Sequence, residues 1–204
     1  MTVKIILTVI LGGILGYFFP QYSTSMEPVI SISLLLMMFF VGLDFGQDKN
    51  IFLQIKKEGK VFLAYPLLIA FGSLFGAFVA GLFLPIGILE SLACGSAFGW
   101  YSLSGPLLGK LVSDELGSIA FLSNLFRELC SFFLIPIFAK KSQKADTINP
   151  LVFASGGATT MDSTLPVVSQ VSGPKTTLAA FVSGAVLTIL APFLLQLFAF
   201  MLNY

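Results

Sequence analysis

Histidine is absent from the 204-residue sequence, which also has only two cysteines and one tryptophan. Without histidine the chain cannot build a Ser-His or Cys-His nucleophile pair, an HExxH zinc site or a histidine proton relay. Cys94 and Cys130 lie in separate apolar segments without CxxC spacing, so we expect both to be free, buried thiols. An intramembrane aspartyl protease that uses Asp44 and Asp162 is the remaining enzyme alternative, but VGLDFG lacks the GxGD spacing of that class. We predict that the protein is not an enzyme and that it holds no metal ion and no cofactor.

Charged residues are also scarce, at 10% of the chain, whereas an ordinary soluble domain has about 25%. Apolar residues make up 56% of the sequence, and the mean hydropathy is +0.96. This composition indicates an integral membrane protein. The net charge of +1 leaves no basic surface of the kind that binds nucleic acid.

Seven apolar segments follow one another along the chain. A helix needs about 20 mostly apolar residues to cross a bilayer. Five uninterrupted segments fit this requirement: residues 3–19, 26–45, 61–84, 116–139 and 178–202. Segments 86–111 and 151–171 are interrupted by glycine, serine and proline. We predict an all-α polytopic membrane protein that forms a single domain over residues 1–204, with about five full spans and two broken or re-entrant segments.

Lysines indicate the orientation of the spans, because they favour the cytoplasmic side of short loops. One cluster is Lys49, Lys56, Lys57 and Lys60, and the other is Lys140, Lys141 and Lys144. The first cluster predicts a cytoplasmic amino terminus. The second also falls inside if segment 86–111 dips into the membrane and returns, and segment 151–171 then dips in from the cytoplasmic side. The carboxyl terminus is expected outside, and a single broken crossing by 86–111 remains the alternative.

The first interrupted segment contains GSAFGWYSLSGP at residues 95–106. Broken helices at membrane depth are tolerated where they pack within protein or line a cavity. In transporters, paired breaks of this kind form the substrate site near the midplane. Ser102 and Ser104 could offer hydroxyl groups there. The alternative is a face of small residues, four apart, that packs against another helix.

The second interrupted segment contains GGATTMDSTLP at residues 156–166. Asp162 lies near the middle of this segment, at about midplane depth, where a charge costs roughly 2.5–3.5 kcal/mol even on a lenient insertion scale. We therefore expect Asp162 to have a partner or a function, with Thr160 and Ser163 as neighbouring ligands. The alternative is an exposed loop, in which the charge would cost nothing.

A further polar group lies at the centre of span 116–139. Arg127 and Glu128 are adjacent in sequence, so their side chains point about 100° apart on a helix and do not simply pair with each other. Asn124 precedes both by about one helical turn on the same side. Arg127 could brace Asp162 or another acid, or hold a substrate carboxylate, and these roles are compatible.

Three sequence blocks resemble the LysO family of bacterial and archaeal inner-membrane lysine exporters. They are AFGWYSLSG (97–105), GSIAFLSNLFRELCSFFLIP (117–136) and GGATTMDSTLP (156–166), and the region 41–59 extends the resemblance over nearly the whole chain. The resemblance implies a multi-pass transporter domain that exports L-lysine and its analogues, with Asp162 and Glu128 as intramembrane acids. Enterobacterial members are longer at the amino-terminal side, and this chain is similar to their carboxyl-terminal part. The resemblance also implies that such short members work as homo-oligomers or with a small membrane protein.

The resemblance leads to a hypothesis of lysine/proton antiport. Carboxyl groups removed from water hold a proton more readily than exposed ones, so Asp162 and Glu128 are expected to alternate between proton and substrate. Half-helix amino termini near residues 102–105 and 156–160 would bind the substrate carboxylate. A channel, or a subunit that needs a partner membrane protein, remains the alternative.

Overall fold

The computed structural model describes residues 11, 14–19, 28, 32, 49–140 and 148–204, and of residues 49–61 and 140 it describes the backbone alone. Contacts divide the chain into two compact units, Met1–Asn50 and Ile51–Tyr204. Most of the predicted spans 3–19 and 26–45, and the Lys141 and Lys144 positions, lie outside the described residues. The single domain over residues 1–204 and the membrane orientation therefore stay predictions.

All secondary structure among the described residues from 49 onward is helical. In chain order it comprises α1 (Lys49–Phe83), α2 (Ile88–Gly95), α3 (Tyr101–Leu111), α4 (Asp114–Lys140), α5 (Pro150–Ala154), a 3₁₀ helix (Gly157–Met161), α6 (Leu165–Val171) and α7 (Pro174–Leu202). Three of these helices are long and apolar enough to cross a membrane, over Phe62–Phe83, Asp114–Ala139 and Pro174–Leu202. They match the predicted spans 61–84, 116–139 and 178–202.

Both segments that the sequence predicts to be broken are interrupted in the structure. Segment 86–111 forms α2 and α3, with residues 96–100 outside both helices, and we call residues 96–100 the first break. Segment 151–171 forms α5, the 3₁₀ helix and α6. We call residues 155–164 the second break.

A left-handed turn makes the first break. Phe98 has φ 54° and Gly99 has φ 98°, so the chain leaves the helical path between α2 and α3. Glycine adopts such a φ without steric cost, whereas Phe98 holds it at a cost of about 1–3 kcal/mol. Phe98 is fully buried, and the packing around it maintains this conformation.

The second break also depends on a glycine with positive φ. Gly157 has φ 63°, and a Cβ atom at this position would lie 2.3 Å from the carbonyl oxygen of Phe98. Only a residue without a side chain allows this approach of two backbones. Before the break, α5 is capped by Asn149, whose Oδ1 accepts a hydrogen bond from the Leu151 N–H at 3.2 Å.

Helix α2 runs antiparallel to α1. Near the end of α1, a Cβ atom on Gly81 would lie 2.8 Å from the Cα of Ile88, and a Cβ on Gly95 would lie 2.5 Å from the Cβ of Ala77. The first segment is thus a broken helix whose small residues pack closely against α1, as the packing interpretation predicted, and a substrate site at this break stays a prediction.

The two broken segments begin at opposite ends of α4. Helix α3 runs antiparallel to α4, and its last residue, Leu111, accepts a hydrogen bond from the side chain of Asn203 at 2.9 Å. At the other end of α4, the Nδ2 of Asn149 donates to the Phe138 carbonyl at 3.3 Å, and its backbone N–H donates to the Thr176 hydroxyl at 3.2 Å. Each segment therefore reaches the middle of α4 from a different end.

Buried apolar side chains enclose both breaks. One cluster joins α2, α3, α4 and α7 through Ala93, Cys94, Ala97, Leu108, Leu116, Ala120, Leu195 and Ala199. A second cluster brings Phe98 of the first break and Ala158 of the second together with Ala70, Leu187 and Ala191. Cys94 is buried and Cys130 half-buried, and both are free, so Cys130 is less buried than the sequence predicted.

The contact between α3 and α4 predicts the effect of one substitution. A Cβ atom on Gly117 would lie 2.6 Å from the Cα of Gly109 and 2.7 Å from the carbonyl oxygen of Gly105. Because overpacking typically costs about 1–3 kcal/mol, we expect Gly117→Ala to lower the midpoint of thermal unfolding in detergent. Gly76→Ala is the control, since among the described residues no atom lies within 4 Å of a Cβ there. Equal midpoints for the two variants would contradict this packing.

Candidate functional site

The two breaks meet beside the middle of α4. The backbone N–H of Ala158 donates to the carbonyl of Phe98 at 2.9 Å, and a Cβ atom on Gly99 would lie 3.1 Å from the carbonyl oxygen of Gly156. Backbone groups freed from a helix inside a membrane need protein partners, because hydrocarbon offers none. Polar side chains of α4 supply several of these partners, and they define the candidate site.

Asn124 binds the first break with its whole amide group. Its Oδ1 accepts a hydrogen bond from the Gly99 N–H at 2.8 Å, and its Nδ2 donates to the carbonyls of Cys94 and Ala120, both at 2.9 Å. The side chain is 4% exposed. These contacts fix the first break to α4, and the predicted role of Asn124 in binding substrate stays a prediction.

Arg127 binds the second break from the next turn of α4. Its Nε donates to the Ser155 carbonyl at 3.1 Å and its Nη2 to the Ala154 carbonyl at 3.4 Å, while its Nη1 donates to the Ser73 hydroxyl of α1 at 2.9 Å. Among the described residues Arg127 forms no ion pair. The brace to Asp162 that the sequence suggested is therefore not formed, and Arg127 instead holds the backbone where α5 ends.

Ser163 joins two acidic side chains at the second break. Its hydroxyl donates to Oε1 of Glu128, and its backbone N–H donates to Oδ1 of Asp162. Glu128 is 6% exposed, and Asp162 and Ser163 are half-buried. We call Glu128, Asp162 and Ser163 the acidic cluster, and it is negatively charged whenever either acid is ionised.

Three predicted hydroxyl ligands have other surroundings. Thr160 is fully buried and donates to the carbonyl of Ala180 on α7 at 2.9 Å. Ser104 is fully buried and donates to the carbonyl of Ala120 at 3.3 Å. Ser102 is exposed on α3. The structure therefore unites Asp162, Ser163 and Glu128, places Ser104 beside Asn124, and leaves Ser102 apart from both groups.

Ser73 is a residue of this region that the sequence analysis missed. It lies in the middle of the apolar span Phe62–Phe83 of α1 and accepts the hydrogen bond from Nη1 of Arg127. A signal was present, because Gly72 and Gly76 flank it in an apolar span, and small residues in spans mark close helix contacts. The spacing alone does not reveal which helix they face, so the partnership with Arg127 could not be predicted.

The meeting of two interrupted segments resembles an arrangement known from one class of membrane protein. Interrupted helices that approach from opposite ends of a neighbouring helix and meet at buried polar side chains are found in secondary transporters. In that class, the irregular backbone lies beside the path of the substrate rather than in contact with lipid.

The chain belongs to the lysine exporter LysO family, whose family model matches residues 6–199. It is 33% identical over 187 residues to lysine exporter LysO of Escherichia coli (strain K12), which covers 92% of this chain and 59% of that relative. It is 32% identical over 196 residues to a Haemophilus influenzae protein named "Putative lysine exporter", covering 96% of this chain and 97% of the relative. No solved structure matches the chain.

Family membership confirms the resemblance that the sequence blocks indicated. It also supports the prediction of a transporter rather than an enzyme, because the family is one of exporters. The apolar helices agree with a multi-pass membrane protein.

Loss of the Asn124 amide should loosen the first break. Asn124→Ala leaves the Gly99 N–H and the Cys94 carbonyl without this partner, and an unsatisfied buried group costs about 1–3 kcal/mol. We expect its thermal unfolding midpoint in detergent to fall further than that of Ser123→Ala. Ser123 is the matched control because, among the described residues, its hydroxyl donates within α4, to the carbonyl of Ala120. Equal midpoints would show that the first break does not depend on Asn124.

Proposed function

We propose that this protein exports L-lysine and related basic amino acids across the prokaryotic inner membrane in exchange for protons. The observation that carries the proposal is the acidic cluster, in which Ser163 joins Glu128 and Asp162 at the second of two meeting breaks. An ammonium group of the substrate would bind these carboxylates. Family membership supports lysine as the substrate, because both relatives carry lysine export in their names.

We propose that the two broken segments are re-entrant and enter from opposite faces, beside five full spans. In support, α2 begins beside Gly81 near the end of α1, and α3 ends beside Asn203 after α7. Ile86 and Ile119 line one cavity, so α2 begins beside the amino-terminal half of α4. The second segment starts beside Thr176, at the beginning of α7. It also ends there, because α6 ends at Val171 and α7 begins at Pro174.

Proton exchange is proposed on energetic grounds. Moving one positive charge outward against an inside-negative potential costs about 2.3 kcal/mol per 100 mV. One-for-one exchange with a proton moves no net charge and removes that cost. The acidic cluster suits this coupling, because a carboxylate that binds an ammonium group in one state can bind a proton in the other. Asp162 and Glu128 are the proposed carriers of both.

A second candidate function is that of a transporter subunit, active as a homo-oligomer or with a small partner membrane protein. The Escherichia coli relative favours this candidate, because this chain spans 59% of that relative's length. The Haemophilus influenzae relative favours the first candidate, since the chain spans 97% of it.

Export is tested by the efflux of preloaded, labelled lysine from cells that produce these 204 residues. We expect efflux from the wild-type chain and a loss of about tenfold or more in Asp162→Asn and Glu128→Gln, since a bond to a charged group contributes about 1.5–3 kcal/mol. Asp114→Asn is the matched control, because Asp114 is exposed at the start of α4.

Two results would change these assignments. Full efflux from both cluster variants would remove the acidic cluster from the substrate site. Absence of efflux from a well-produced wild-type chain would favour the subunit function.

Coupling is tested in proteoliposomes with an imposed pH gradient and with the membrane potential held at zero by potassium and valinomycin. Protons then move from the acidic to the basic side, and antiport should accumulate labelled lysine on the acidic side. Nigericin, which collapses the pH gradient, should abolish the accumulation. Lysine that merely equilibrates, with or without the gradient, would contradict antiport and favour a channel.

A further inference from the structure

Two cavities meet at Arg127. The first has a volume of about 500 Å³ and is bounded by α1, α4 and α5, with Tyr65 and Pro150 in its lining. The second has a volume of about 290 Å³ and is bounded by α1, α2 and α4, with Leu84 and Ile119 in its lining. Both cavities are lined by Ser73, Gly76 and Arg127.

The cavities extend from Arg127 toward opposite ends of α4. Pro150 follows Asn149, which is bonded to Phe138 near the carboxyl end of α4. Ile119, in contrast, lies in the second turn of α4, and Leu84 follows the end of α1. The hydrogen bond between Arg127 and Ser73 therefore lies where two approaches from opposite ends come together.

The guanidinium group of Arg127 has unused binding capacity at this junction. It carries five N–H groups, and contacts with the described residues use three of them, to Ser73, Ala154 and Ser155. No carboxylate of the described residues pairs with it. Arginine binds carboxylates through two parallel hydrogen bonds, and a cation at this depth is costly without a counter-charge.

Small residues of α1 leave space beside this guanidinium. Among the described residues, a Cβ atom added at Gly72 or Gly76 would meet no atom within 4 Å. Glu128 is the next residue of α4 and points about 100° away, into the acidic cluster. One turn of α4 thus presents a cation to the two cavities and an anion to the second break.

We propose that Arg127 binds the carboxylate of the transported amino acid, which reaches it from either end through these two cavities, and that Ser73 holds the guanidinium when no carboxylate is bound. The inference rests on the proposed export of basic amino acids and adds a second binding point to it. A carboxylate group at Arg127 and an ammonium group at the acidic cluster would be held by opposite charges of one helical turn. A diamine would make only the second contact.

The test measures ligand binding by the thermal shift of the purified full chain in detergent. The ligands are L-lysine, 6-aminohexanoate, which retains the carboxylate, and 1,5-diaminopentane, which lacks it. We expect wild-type protein to bind lysine at least tenfold more tightly than the diamine. Arg127→Gln should lose this preference and the stabilisation by 6-aminohexanoate. Lys110→Gln, which removes an exposed lysine of α3, should retain both.

A second pair of variants keeps Arg127 in place, in case Arg127→Gln does not fold. Gly76→Leu should fill the space shared by both cavities and reduce lysine affinity at least tenfold. Ala64→Leu is its control, because Ala64 is exposed on the same helix and lines neither cavity. The carboxylate site would be overturned by equal binding of lysine and the diamine by wild-type protein, by an unchanged preference in Arg127→Gln, or by an unchanged lysine affinity in Gly76→Leu.

Failure of the proposed function has a different signature. If lysine binds with the expected dependence on Arg127 but labelled lysine does not leave cells, the carboxylate site stands and the export function of the isolated chain is wrong. If lysine leaves cells while the protein binds lysine and the diamine equally tightly, the export function is supported and the carboxylate site at Arg127 is wrong.

Discussion

Hydrogen bonding of the interrupted backbone is the constraint on which the other features of this structure depend. A helix that breaks inside a membrane exposes N–H and C=O groups that hydrocarbon cannot satisfy. Here the first break donates through Gly99 to Asn124, and the second is held through the carbonyls of Ala154 and Ser155 by Arg127. Asn124 and Arg127 lie one turn apart, so a single helix stabilises both breaks.

Direct contact between the breaks joins the two halves of the site. The hydrogen bond from Ala158 to Phe98 connects them, and Gly157 permits it because no side chain stands between the two backbones. A displacement of one broken segment must therefore change the other, or break this bond. In a transporter whose site is alternately open to either side, such a connection would allow both segments to respond to one bound substrate.

Composition and local sequence pattern were sufficient to predict much of the fold. Scarcity of charge predicted a membrane protein, and uninterrupted apolar length predicted the three long helices that the structure describes after residue 49. The concentration of glycine, serine and proline predicted both interruptions, because glycine and proline disfavour the interior of a helix and serine competes for backbone hydrogen bonds there. Helix geometry also predicted that the side chains of Arg127 and Glu128 point in different directions. The structure shows this, because Arg127 donates to the Ser155 carbonyl and Glu128 accepts from Ser163.

The sequence by itself determined the class of protein, the positions of the breaks and the family, because composition, period and motif are local properties of the chain. The tertiary structure decided which polar groups meet. It paired Arg127 with Ser73 rather than Asp162, joined Glu128 to Ser163 and used Asn124 as a brace. Those pairings depend on how helices distant in sequence pack in space, and the spacing of residues along one helix does not specify the neighbour that each face meets.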